Sequence, residues 1–146
     1  MAELIVIPAI IMGAVIGLYE LILIHRDENF RGSHWFGHGL HAVFFAMGAV
    51  FVTMNTEFVY ETFAFLQTIP YLENPWIFRS AIGLITMIKV HAASAVVKGT
   101  IGSTKGMKET WAHSLVVAAL VVLAPEIWAL VGPVIGERFA SSNENN

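Results

Sequence analysis

Six histidines carry most of the chemistry this chain has to offer: His25, His34, His38, His41, His91 and His113. Three of them, His34, His38 and His41, follow one another at spacings of four and three, which sets their rings on one face of a helix. Imidazole is the commonest side-chain metal ligand and titrates near neutral pH. Three convergent rings can hold zinc, and with carboxylates they can hold iron or manganese. Two rings facing each other across a bundle can ligate haem. His34, His38, His41 and His91 are therefore the candidate ligands of a transition-metal ion. Gly37 and Gly39 flank His38 and leave the backbone there open to close approach. The plainer account makes His25, His34 and His113 ordinary residues at the ends of apolar stretches.

A second set of groups is ionisable and lies inside apolar runs: Glu20, Lys89 and Glu126. A charge at the centre of a membrane helix costs roughly 2.5–3.5 kcal/mol on insertion scales, so such residues persist where they pair or line a cavity. Glu20 and Lys89 fall at compatible depths and form the expected ion pair. Glu20, His41, Lys89 and His91 could otherwise form one polar site. Glu126 follows Pro125, which frees a backbone carbonyl one turn earlier and can kink the helix. Its expected partners are that carbonyl or Arg79, a residue near the end of its own stretch that can also snorkel toward the surface.

Other chemistry is excluded or unsupported. Cysteine is absent, which removes disulfides, thiolate metal sites, iron–sulfur clusters and cysteine nucleophiles. No GxSxG elbow, Walker loop, GxGxxG or HExxH occurs. A net charge of −3 argues against nucleic acid, which calls for a basic face. The histidine pattern also lacks the repeated HxxxH and HxxHH boxes of integral-membrane di-iron desaturases and hydroxylases, and no two histidines are adjacent. No catalytic residue and no cofactor-binding residue is assigned on this basis.

The elements that must position these groups are apolar. The chain is 56% hydrophobic and only 13% charged, against about 25% charged in an average soluble domain. A membrane helix needs roughly 20 mostly apolar residues, and four stretches qualify: about 4–24, 35–56, 75–97 and 111–135. They are continuous, without the alternation of a barrel strand. The expected fold is all-α, a single integral-membrane bundle of four transmembrane helices over residues 1–140. The segment after the second stretch holds Phe58, Val59, Tyr60, Phe63, Phe65, Leu66 and Ile69, with Glu57 and Glu61 one turn apart. It predicts an extension of the second helix or a helix lying at the interface, ended by Pro70. Residues 141–146 form a polar tail. Met1-Ala2-Glu3 has no basic residue, so the first stretch is expected to be a retained span rather than a cleaved leader.

Arg26 and Arg31 lie in the first connection, and Lys98, Lys105 and Lys108 in the third. Loops rich in Lys and Arg stay on the cytoplasmic side, which places both termini outside a cell membrane and all six histidines toward the inner face. Gly13/Gly17, Ala42/Ala46 and Gly132/Gly136 are small-residue pairs at the spacing that lets helices approach. Three functions are compatible with this layout. The first is an accessory or scaffold subunit of a larger membrane complex, lying in the lipid bilayer beside other membrane subunits or copies of itself, with a metal held by the histidine cluster. The second is an oligomeric proton or cation channel or transporter. The third is a membrane oxidoreductase using a histidine-ligated metal or haem.

Overall fold

The computed structural model describes residues 4–26, 35–99 and 107–144; side chains are described over 4–22, 40–41, 43–92 and 111–135. Among the described residues all regular structure is helical. The helices are α1 (Ile7–Arg26), α2 (Trp35–Met54), α3 (Thr56–Thr62), α4 (Pro75–Gly99), α5 (Met107–Val122) and α6 (Ala124–Glu144), with one 3-10 turn at Ala64–Thr68. Apart from α3 and the 3-10 turn, which follow the second stretch, they overlap the four apolar stretches. Residues 141–144 of the expected tail continue α6.

Two of the four stretches are bent. α2 and α3 meet at 87° across Asn55, and α5 and α6 meet at 64° across Leu123. No single described helix is long and apolar enough to cross a membrane, whereas each bent pair passes that test by length and composition. α1 as a whole, Ile7–Arg26, has 20 residues and spans about 30 Å at 1.5 Å per residue, comparable with the hydrocarbon thickness. The described residues are all-helical, as expected, and the bundle has two elbows, one of them beside Pro125. α3 stands almost at right angles to α2, which agrees with a separate short helix after the second stretch rather than a straight extension.

The second bend follows from proline. Pro125 has no N–H, so the Val121 carbonyl loses its helical donor. Helix hydrogen bonding continues around it, from Leu123 N–H to the Ala119 carbonyl at 3.0 Å and from Ile127 N–H to the Leu123 carbonyl at 2.9 Å. The Thr53 hydroxyl, fully buried on α2, donates to the orphaned Val121 carbonyl at 2.9 Å and lies 3.1 Å from the Val50 carbonyl of its own helix. Two residues on, Asn55 marks the first bend. Its side-chain oxygen accepts from the Ile5 N–H at 2.6 Å, and its amide nitrogen donates to the carbonyls of Ile5 and Phe51 at 3.0 and 2.9 Å. Thr56 then donates to the Thr53 carbonyl at 2.9 Å. The segment before α1 is pinned to the same place where α2 ends.

From that anchor α1 runs antiparallel to α2. A Cβ on Gly13 would stand 2.8 Å from the Met47 Cα, and one on Gly17 would stand 2.9 Å from Val43 Cγ1 and 3.0 Å from its Cα. The first small-residue pair therefore does what its spacing predicted: it brings two backbones together. Ala46 is fully buried, while the Ala42 side chain lies outside the described set. Gly132 behaves differently, because a Cβ there would meet Trp128 of its own helix. α4 runs antiparallel to α5, and a Cβ on Gly83 would collide with Val122. The core joining the helices is made of Ala9, Met12, Ile16, Ala46, Val50, Val117 and Val121, among others.

Two outcomes follow. Thr53→Val strands a buried carbonyl and should lower stability by about 1–2 kcal/mol. In a Pro125→Ala background, which returns a backbone N–H to Val121, the same change should cost clearly less; thermal melting of the four proteins in this double-mutant cycle measures the difference. Gly17→Val forces a side chain into the α1/α2 seam and should lower stability by about 1–3 kcal/mol, whereas the same substitution at Gly48, which has nothing within 4 Å of an added Cβ, should be far milder by the same melt.

Candidate functional site

The buried face of α1 contains Ala9, Met12, Gly13, Ile16, Gly17 and Glu20. These positions recur at three and four residues, so they form one stripe along the helix. The glycines set this stripe directly against α2. Glu20 belongs to it and is 1% exposed. Among the described residues neither of its carboxyl oxygens has a hydrogen-bond partner. A carboxylate removed from water without a partner costs several kcal/mol, and among the described side chains Glu20 is the one carboxyl with both oxygens buried and unpartnered.

Lys89 does not offset it. The expected Glu20–Lys89 pair is absent, because Lys89 sits on the exposed side of α4. Similar depth did not bring the two together, since depth fixes a residue's level but not the rotation of its helix. Glu126 does have a partner. Arg79 NH1 donates to Glu126 Oε1 at 2.6 Å, with side chains 17% and 41% exposed respectively. The Arg79 guanidinium carbon also lies 5.7 Å from the centroid of the Trp76 ring, within cation–π range. Arg79 is therefore held between a carboxylate and an indole rather than snorkelling outward. Glu126 is not bonded to the carbonyl freed by Pro125, which Thr53 occupies. Glu126 Oε2 and Arg79 Nε are buried without partners among the described residues.

The histidines are dispersed as far as they are described. His34 lies outside the described residues, and so do the side chains of His25 and His38. His41 is exposed on α2, and His113 is half-buried on α5. His91 is half-buried on α4 and stacks on Trp111, with ring centroids 3.8 Å apart and planes 21° apart. Its Nδ1 is buried without a partner among the described residues. Stacking joins α4 to the start of α5 at the end opposite the Arg79–Glu126 pair. Among the described residues no three His, Asp or Glu side chains are placed to hold a metal ion. His41 and His91 are thus not brought into a described metal cluster.

Thr53 and Asn55 were missed as structural centres. The signal was present: Thr53, Asn55 and Thr56 interrupt an apolar run, and Val121 lies four residues before Pro125. Reading the carbonyl opposite each proline as an acceptor in need of a donor would have found the first of these bonds.

No protein-family model, curated protein or solved structure matches the chain.

The Arg79–Glu126 pair is half in water, which discounts its strength. Arg79→Met should lower stability by about 1–2 kcal/mol by leaving Glu126 Oε1 unpaired. The double change with Glu126→Gln should recover part of that loss, as read by thermal melting; equal and additive losses would show that the two groups do not act as a pair.

Proposed function

We propose that the chain is an integral-membrane helical bundle that serves as an accessory or scaffold subunit of a larger membrane assembly. One observation supports this reading above the rest: the molecule buries polar groups and exposes large apolar ones. Thr53, Thr86 and Ser114 are fully buried, and Asn55, Thr56 and Glu20 nearly so. Leu130 is 77% exposed, Ile7 71%, Phe44 63% and Leu115 60%, and they sit on four different helices. A soluble monomer rarely shows apolar patches beyond a few hundred Å². In lipid the pattern is the expected one, since packing of small residues and hydrogen bonding between helices hold the bundle together. The buried threonines fit this, with Thr86 donating to the Ile82 carbonyl at 2.8 Å and Thr53 bridging α2 and α5.

In this reading α1, α2, α4 and the bent pair α5–α6 supply the four crossings, and α3 turns along the surface with exposed Phe63, Phe65 and Tyr71 nearby. The basic first and third connections face the cytoplasm and the termini face out, following the distribution of Lys and Arg. Lateral association is supported by a groove of about 460 Å³ between α4 and α5, lined by Ser80, Gly83, Leu84, Ala118, Ala119 and Leu123 among others. Small residues on an outward face let another helix approach closely. Metal binding by His34, His38, His41 and His91 draws no support from the described residues, since His41 and His91 form no described cluster and His34 and the His38 side chain lie outside them. Ion movement remains a second reading, favoured by the buried Glu20.

The reading is tested by extraction and native mass. The chain should stay with the membrane fraction at alkaline pH. In mild detergent it should migrate well above one 16.0 kDa protomer with its bound detergent. Release into the aqueous fraction would contradict the membrane assignment, and a clean monomer would contradict the subunit role.

A further inference from the structure

We infer that Glu20 binds a small monovalent cation, a proton or an alkali-metal ion, inside the helix bundle. The Gly13 and Gly17 contacts close the α1/α2 seam, and Glu20 continues the same buried stripe one turn further. Its side chain is 1% exposed, and both carboxyl oxygens lack a partner among the described residues. Buried polar groups are almost always satisfied, and one that is not calls for a specific explanation such as a bound ion. The two cationic side chains described within the helices are engaged or turned away: Arg79 holds Glu126, and Lys89 is exposed. A carboxylate offers hard oxygen donors, which suit a proton or a hard cation rather than a soft metal.

The surroundings are defined by the elements packed against α1, which are α2, α5 and α6. Among the described side chains their titratable groups are the exposed His41 on α2, the half-buried His113 on α5 and Glu126 on α6, the last already paired with Arg79; the side chains of Glu137, Arg138 and Glu144 of α6 lie outside the described set. His38, Lys108 and Glu109 belong to the same end of α2 and α5, and their side chains lie outside the described set. No described charge is paired with Glu20, so a mobile cation is the charge-balancing partner. This inference rests on the packing of α1 against α2 and stands independently of the proposed subunit role.

The test uses the full chain, purified in whatever medium extracts it, and dicyclohexylcarbodiimide as probe. The acid O–H adds across one C=N bond, giving an O-acylisourea whose acyl group shifts to nitrogen to form a stable N-acylurea with no atoms lost. Peptide mass spectrometry should find this adduct at Glu20, and Glu20→Gln should abolish it. If the cation is an alkali-metal ion, sodium or potassium chloride should suppress labelling at fixed pH. If it is a proton, labelling should ignore those salts and fall as pH rises. In either case the thermal midpoint of the native chain should respond to the same variable, and Glu20→Gln should lose that response. Labelling indifferent to both salt and pH would overturn the inference. So would an unlabelled Glu20 with identical salt and pH responses in the native and Glu20→Gln proteins.

Discussion

The bond from the Thr53 hydroxyl to the Val121 carbonyl, 2.9 Å long, holds the two halves of the molecule in register. Pro125 creates the need for it by withholding the N–H that Val121 would otherwise meet. In an apolar interior that carbonyl has no water to turn to, so a donor from another helix is required. Thr53 provides it from the last turn of α2, just before that helix bends. Both elbows therefore meet at one level. Asn55 adds the segment before α1 to the same knot through both backbone groups of Ile5. Three chain segments distant in sequence are tied together there by side chains of two residues. The remainder of the bundle can then be apolar and closely packed, as the glycine contacts between α1 and α2 require.

Polar groups beyond that knot divide into two kinds. Arg79, Glu126 and Trp76 are paired with one another near the start of α4 and of α6. Glu20, toward the other end of the bundle, has no such set among the described residues. His91 stacks on Trp111 near that end, which joins α4 to α5 without providing Glu20 with a described partner. A bundle that meets the needs of a proline-freed carbonyl so economically, and leaves one carboxyl bare among the described residues, directs attention to that carboxyl as the seat of any ion chemistry. The outer surface carries Leu, Ile, Phe and Trp and speaks of what surrounds the protein instead.

Helix positions were legible because apolar runs of about 20 residues leave little choice in local structure. The break near Pro125 was legible for the same local reason, as was the spacing of Gly13 and Gly17 that closes α1 on α2. The right-angle turn at Asn55 was not, because an asparagine late in an apolar run looks like a span boundary until its partner, Ile5, is seen fifty residues away. Glu126 with Arg79 could be anticipated from position along the helices. Glu20 with Lys89 could not be judged that way. Their levels are compatible, but Lys89 is on the outward side of α4 while Glu20 shares the inward stripe of α1. His41 shows the same limit: its spacing from His34 and His38 defines a shared face, and only neighbouring helices decide whether that face turns in or out. Rotation about the helix axis is a tertiary property, set by packing that periodicity alone does not specify when nearly every residue is apolar.

The central claim is that the outward apolar surface meets lipid and the inward polar groups meet protein. Nitroxide labels placed singly at Ile7, Leu115 and Leu130, and at the buried Ala46 and Val117, would test it most directly in the reconstituted chain. Collision with oxygen, which concentrates in hydrocarbon, would be compared with collision with a water-soluble nickel chelate. The account predicts that the three outward sites collide freely with oxygen and scarcely with the chelate, while the two inward sites collide with neither. Outward sites swept readily by the chelate would contradict it.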